Sequence, residues 1–145
     1  MSQVLDALFA AVVDDEGNRW GELATAEQRE DALSLLDPEA PRFQFLVRPR
    51  GGSKTTDLAA VLGCVLGYQA GPSDRMFAFA ADRDQARLLQ DALGQIARRT
   101  PALGHLEVGS YQVKAPNGAS LQVMAGDAAS AFGLLPTWVA CDELC

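Results

Sequence analysis

Residues 45–63 read FLVRPRGGSKTTDLAAVLG and join two apolar runs through a turn that contains two adjacent glycines. The first run belongs to residues 42–47, RFQFLV, where alternating apolar side chains predict a β-strand. The second belongs to residues 54–68, KTTDLAAVLGCVLGY, which predict a helix that is apolar on most sides and therefore buried. A strand, a glycine turn and a buried helix in this order are typical of a phosphate-binding loop.

Such a loop needs backbone N–H groups turned inward, and Gly51 and Gly52 permit that conformation because glycine lacks a Cβ. The helix that follows directs roughly half a positive charge at a bound phosphate. Lys54 would neutralise the β and γ phosphates of ATP, and the Thr55 hydroxyl would ligate magnesium. The predicted nucleotide-binding residues are Gly51, Gly52, Ser53, Lys54, Thr55 and Thr56.

The loop departs from the usual pattern GxxxxGK[ST], because Arg48 and Ser53 occupy its two glycine positions. If the second position requires a positive φ, a residue with a Cβ costs about 1–2 kcal/mol there. The Ser53 hydroxyl could in return donate to a phosphate oxygen. The alternative interpretation is a glycine turn followed by a helix with an incidental lysine.

The rest of the chain alternates strands and helices. Residues 25–36 predict a helix with a Thr25–Gln28 capping box, residues 75–81 a buried strand and residues 82–99 an amphipathic helix capped by Asp82. Two antiparallel strands are predicted around the Pro-Asn-Gly turn at 116–118. These elements predict an α/β sandwich with a largely parallel sheet, whose ligands bind beyond the carboxyl ends of the strands.

A second chemical cluster closes the sequence. Residues 138–143, WVACDE, are four apolar residues followed by Asp142 and Glu143, the form of a Walker B strand. Asp142 would hold magnesium, and Glu143 would polarise the attacking water. The two clusters lie about 90 residues apart, in the order found in an ATPase core. Together they favour an ATPase more strongly than either match does alone.

Charge and composition limit the other function classes. The 145 residues carry a net charge of −7, so the chain as a whole does not match nucleic acid, and any DNA contact must be local. The sequence contains two lysines, Lys54 and Lys114, and three cysteines without paired spacing, which argues against a disulfide framework or a zinc site. Neither a membrane span nor a signal peptide is predicted, and a reduced cytoplasm fits best.

Several residues are interpreted as structural. His105 lacks neighbours at metal-ligand spacing, and Trp20 and Trp138 are expected to pack in the core or at its edge. Cys141 lies within the last strand, where we expect it to be buried.

Three stretches resemble the large terminase subunit of tailed double-stranded DNA phages. RPRGGSKTTDLA is similar to the deviant Walker A of that family, with Arg50, Lys54 and Thr55 in matching positions and Ser53 in place of a glycine. FAFAADRDQARLL and DAASAFGLLPTWVACDEL resemble its next strand-helix unit and its Walker B region. The resemblance covers residues 42–145.

The resemblance implies a P-loop NTPase-type three-layer α/β sandwich that hydrolyses ATP with Mg²⁺ to package DNA. It divides the chain into an N-terminal helical segment, residues 1–41, and a partial ATPase core, residues 42–145. Arg50 would act on the γ phosphate in its own subunit or a neighbour; the alternative is an exposed loop arginine paired with a carboxylate. For the complete protein it implies double-stranded DNA, the portal protein, the small terminase subunit and further copies of the chain as partners, in the cytoplasm of a bacterial host.

The sequence stops two residues after Glu143. We therefore expect the N-terminal part of a longer phage or prophage protein, with a sheet incomplete at the C-terminus and without the nuclease domain of the family. Magnesium-dependent ATPase activity is expected of the complete protein and stays open for this chain. Two alternatives remain: a fragment of a helicase-like P-loop ATPase, and a non-catalytic truncated remnant.

Overall fold

A computed structural model describes residues 11–13, 17–37, 39–41, 44, 54–125 and 136–141. The helices are α1 Trp20–Leu23, α2 Ala26–Leu36, α3 Lys54–Cys64 and α4 Arg83–Arg99. A π-helical turn, Val65–Gln69, continues α3, and a 3₁₀ turn, Pro101–Leu103, follows α4. The strands are β1 Arg75–Ala80, β2 Glu107–Val108, β3 Gln112–Lys114, β4 Ser120–Ala125 and β5 Trp138–Cys141.

The five described strands form one sheet in the order β2-β3-β4-β1-β5. Strand β1 pairs in parallel with both β4 and β5, while β3 runs antiparallel to β2 and to β4. The mixed α/β class and the mostly parallel sheet are therefore as the sequence predicts. Of the strand predicted at residues 42–47, only Gln44 is described, and its side chain bonds to Ser34.

The hairpin between β3 and β4 forms at the predicted turn. Gly118 takes a φ of +96°, a conformation that suits a residue without Cβ. The Asn117 side chain fastens the turn by accepting from Ala119 N at 3.0 Å and donating to the Ala70 carbonyl at 3.0 Å. The turn is thereby attached to the segment that leads into β1.

The core lies between one face of the sheet and helices α3 and α4. Met76, Ala78 and Ala80 alternate along β1 and are all buried in this core. Strand β4 contributes Leu121 and Val123 to it. The α4 residues buried here are Ala86, Leu89, Leu93 and Ile96, the stripe that the sequence predicts.

One detail differs from the sequence prediction. Cys141 is exposed, because it is the last described residue of β5, the outermost strand of the described sheet, whose residues are alternately half-buried and exposed. The expectation that Cys141 is buried was wrong. Cys64, by contrast, ends α3 inside the core, and burial raises the pKa of its thiol to about 12.

We expect Leu89→Ala to lower the free energy of unfolding by about 2–5 kcal/mol, because Leu89 is fully buried and its truncation leaves a cavity. Leu88→Ala is the matched control: Leu88 is 54% exposed on the same helix, and its loss should change stability by about 0.5 kcal/mol or less. Urea denaturation of both variants measures the difference. Equal losses would contradict the core assignment of α4.

Candidate functional site

The structure describes three of the residues predicted to bind nucleotide or metal. Lys54 is the first residue of α3, and Thr55 and Thr56 are half-buried in its first turn. The other predicted site residues lie outside the described residues: Arg50, Gly51, Gly52, Ser53, Asp142 and Glu143. Their predicted roles stay predictions.

Helix α3 runs opposite to the parallel strands. Its continuation Val65 lines a small cavity together with Met76 and Trp138, which lie near the amino ends of β1 and β5. Eleven helical residues extend about 16 Å, comparable to the roughly 20 Å of a six-residue strand. The first turn of α3, with Lys54 and Thr55, therefore lies toward the carboxyl edge of the sheet.

Strand β5 ends at that same edge. It is parallel to β1, and its last residue, Cys141, is in register with Phe79, one residue before the end of β1. Asp142 follows Cys141 directly in the sequence. The fold thus brings the start of α3 and the end of β5 to one edge of the sheet, where ligands of parallel sheets bind.

A buried carboxylate anchors the first turn of α3. Asp57 is 7% exposed, and its Oδ1 accepts from the Trp20 indole Nε1 at 2.8 Å. The Gln28 side-chain amide donates to both Asp57 carboxylate oxygens at 3.0 Å. Helices α1 and α2 are therefore tied to the beginning of α3 through one side chain.

Gln28 has two functions in this arrangement. Its backbone N–H donates to the Thr25 hydroxyl at 3.2 Å, and its Oε1 accepts from the Thr25 backbone N–H at 2.7 Å, which completes the predicted capping box of α2. Its Nε2 is the group that reaches Asp57. The Gln28 side chain therefore caps α2 and holds the first turn of α3 at the same time.

Sequence reasoning missed Asp57, although a signal was present. Asp57 is an acid in a helix that is otherwise apolar on most sides, and a buried carboxylate needs hydrogen-bond donors. Its position in the first turn is favourable, since negative charge stabilises a helix N-terminus. Trp20, expected to be simple core packing, is buried and supplies one of the donors.

The described ranges contain no group of three or more His, Cys, Asp or Glu side chains placed to hold a metal ion. Thr55 is the one predicted magnesium ligand within them. None of the helices in these ranges is long and apolar enough to cross a membrane. His105 is exposed, and its Nε2 lies 3.2 Å from the Gly67 carbonyl oxygen, a structural contact.

We expect Asp57→Ala to destabilise the protein by about 1–3 kcal/mol for each donor left without an acceptor, namely the Trp20 indole and the Gln28 amide. Asp57→Asn should lose less, because it keeps one carbonyl oxygen. Asp91→Ala, at an exposed position of α4, is the control and should change stability by about 0.5 kcal/mol or less. If urea denaturation gives Asp57→Ala the stability of Asp91→Ala, the carboxylate does not anchor α3.

Comparison with known proteins identifies the fold. No protein-family model and no curated protein matches the sequence. The crystal structure of the HK97 bacteriophage large terminase superposes with a TM-score of 0.84 at 18% sequence identity, covering 98% of this chain. This chain spans 30% of the terminase chain. The chain therefore has a terminase-like α/β fold.

Proposed function

We propose that this chain is the ATP-binding part of a DNA-packaging motor of the large-terminase type. One observation carries the proposal: the start of α3, with Lys54 and Thr55, and the end of β5, before Asp142, lie at the edge of the sheet where the parallel strands end. A terminase-like fold over 98% of the chain supports it. Because the chain spans 30% of that terminase, packaging itself is proposed for a longer protein.

The finer fold in this proposal is a P-loop three-layer sandwich, with residues 1–41 as a helical segment and residues 42–145 as a partial ATPase core. Gly51, Gly52 and Ser53 would present backbone N–H groups to the phosphates, followed by Thr56 in the first helical turn. The helix dipole of α3 adds favourable potential at the same point. Lys54 would hold the β and γ phosphates of the substrate ATP as a point charge.

Thr55 and Asp142 would hold the magnesium ion, since hydroxyl and carboxylate oxygens are the ligands that this hard cation prefers. Bound there, magnesium would neutralise charge on the transferred phosphoryl group. Glu143 would orient the attacking water and accept its proton, and Arg50 would stabilise charge on the γ phosphate. The partners in this proposal are double-stranded DNA, the portal protein, the small terminase subunit and further copies of the chain.

Asp57 gives the proposal a structural basis in the described residues. It is three residues after Lys54, and its carboxylate is fixed by donors on α1 and α2. A phosphate-binding helix must present its first turn in one position, because catalysis depends on sub-ångström placement of the binding groups. The hydrogen bonds that Trp20 and Gln28 donate to the Asp57 carboxylate hold that turn in place.

We expect magnesium-ATP at about 100 times its Kd to stabilise the protein by about 2.7 kcal/mol, raising Tm by roughly 5–10 °C. Lys54→Ala should abolish the shift, because it removes the charge that holds the phosphates. Lys114→Ala, which removes the second of the two lysines at an exposed position of β3, should retain it. Thermal denaturation with and without magnesium-ATP makes the measurement.

The comparison of these two lysine variants decides the site. Equal shifts in Lys54→Ala and Lys114→Ala would show that nucleotide binds elsewhere. No shift in the unmodified chain would remove the nucleotide proposal for these 145 residues.

Glu143→Gln should separate binding from turnover. A glutamine can orient water but does not take its proton, so phosphate release should fall about 10²- to 10⁴-fold while the thermal shift by magnesium-ATP is retained. Both quantities are measured on one preparation. Hydrolysis at the unmodified rate would exclude Glu143 as the general base.

A further inference from the structure

A cleft separates the first half of α4 from the end of the β3–β4 hairpin. Its volume is about 460 Å³, and it is lined by Arg83, Ala86, Arg87, Tyr111, Val123 and Ala125. Ala125 is the last residue of β4, and α4 begins three residues after β1 ends. The cleft therefore opens at the carboxyl edge of the sheet, on the side of β1 away from β5.

Two arginines form one wall of the cleft. Arg83 and Arg87 are four residues apart on α4, which places their Cβ atoms about 5–6 Å apart on one helix face. Both are exposed, and neither has a hydrogen-bond or ion-pair partner within the part of the chain that the structure describes. Two like charges so spaced repel each other, and Asp84 and Asp91, three and four residues from Arg87 on the same helix, offset part of that repulsion.

The opposite wall carries an exposed aromatic residue. Tyr111 is 74% exposed, and its backbone is fixed because its carbonyl oxygen accepts from Val123 N at 3.0 Å. Between the walls lie small apolar side chains, Ala86 and Val123, and no carboxylate belongs to the described lining. The cleft combines two guanidinium groups and a phenol over a shallow apolar floor.

A neighbouring polar group on the same helix is also left without a partner. Gln90 lies one turn beyond Ala86 and Arg87 and is 6% exposed. Its Nε2 donates to the Gly109 carbonyl at 2.8 Å, while its Oε1 is buried without a partner among the described residues. A buried acceptor of this kind calls for a donor from outside the described residues.

We propose that this cleft binds the sugar-phosphate backbone of duplex DNA. Arginine and tyrosine side chains are among the groups that contact DNA phosphates, and such contacts position a protein without reading sequence. The chain carries a net charge of −7, so two neighbouring exposed arginines, with no ion-pair partner among the described residues, are the local exception that a DNA contact requires. The choice of DNA as the bound molecule rests on the proposed function. The inference that the cleft binds an anion rests on its lining residues instead.

The test is fluorescence anisotropy of a labelled 20-base-pair duplex titrated with the 145-residue chain at several salt concentrations. The double variant Arg83→Ala/Arg87→Ala should weaken binding at least 10-fold and lower the slope of log K against log salt by about 1.8, since each phosphate contact contributes about 0.9. Tyr111→Phe should weaken binding as well, because it removes the hydroxyl.

Arg98→Ala/Arg99→Ala is the matched control. These two exposed arginines end the same helix, and both double variants carry a net charge of −9, because two positive charges are removed from −7. The control should stay within twofold of the unmodified chain. Arg83→Lys/Arg87→Lys keeps the charges and should retain most of the affinity. That result would show that the alanine variant loses affinity through its missing contacts and not through a folding defect.

Four outcomes would overturn the proposal: no duplex binding by the unmodified chain, equal losses in the two alanine double variants, stronger binding to a single strand than to the duplex, and displacement of the duplex by millimolar inorganic phosphate or mononucleotide. The last two would assign the cleft to stacking or to a small anion. Arg83→Ala/Arg87→Ala should keep the magnesium-ATP thermal shift. If the unmodified chain binds the duplex but shows no magnesium-ATP thermal shift, the nucleotide-site proposal fails and the proposal for the cleft stands.

Discussion

The described structure depends on one buried carboxylate. Asp57 lies in the first turn of α3 and accepts hydrogen bonds from Trp20 and Gln28, which belong to two other helices. A carboxylate 7% exposed would be strongly unfavourable without such donors. Because α3 also packs against α4 and contributes to the core beneath the sheet, the carboxylate connects the N-terminal helices to the body of the fold.

The sheet determines where chemistry can occur. Strands β4, β1 and β5 are parallel neighbours, so their carboxyl ends form one edge. The direction of α3 brings its positive end to that edge, and α4 begins there after β1. Both proposed binding surfaces lie along it: the nucleotide site toward β5 and the DNA-contacting cleft toward β4. ATP and DNA would then contact opposite flanks of β1.

The net charge of −7 is consistent with a DNA-contacting cleft that is small and separate from the proposed nucleotide site. A chain with a net charge of −7 repels DNA on the whole, so the proposed contact at Arg83, Arg87 and Tyr111 would orient the duplex instead of attracting it broadly. In a motor such contacts have to form and release repeatedly. Few, exposed and sequence-independent phosphate contacts suit that requirement better than an extensive basic face.

Local patterns in the sequence determined much of this architecture: the capping box of α2, the apolar stripe of α4, the turn at Gly118 and the parallel strand β5 all follow from side-chain period and backbone preference. The resemblance of three stretches to large terminase subunits also implied a terminase-like fold, which the superposition supports. The tertiary structure alone decided that Asp57 is anchored by Trp20 and Gln28, that Cys141 is exposed and that Arg83 and Tyr111 line one cleft. These depend on contacts between residues 28–37 positions apart, or on the outermost position of β5 in the described sheet, and no local period encodes either.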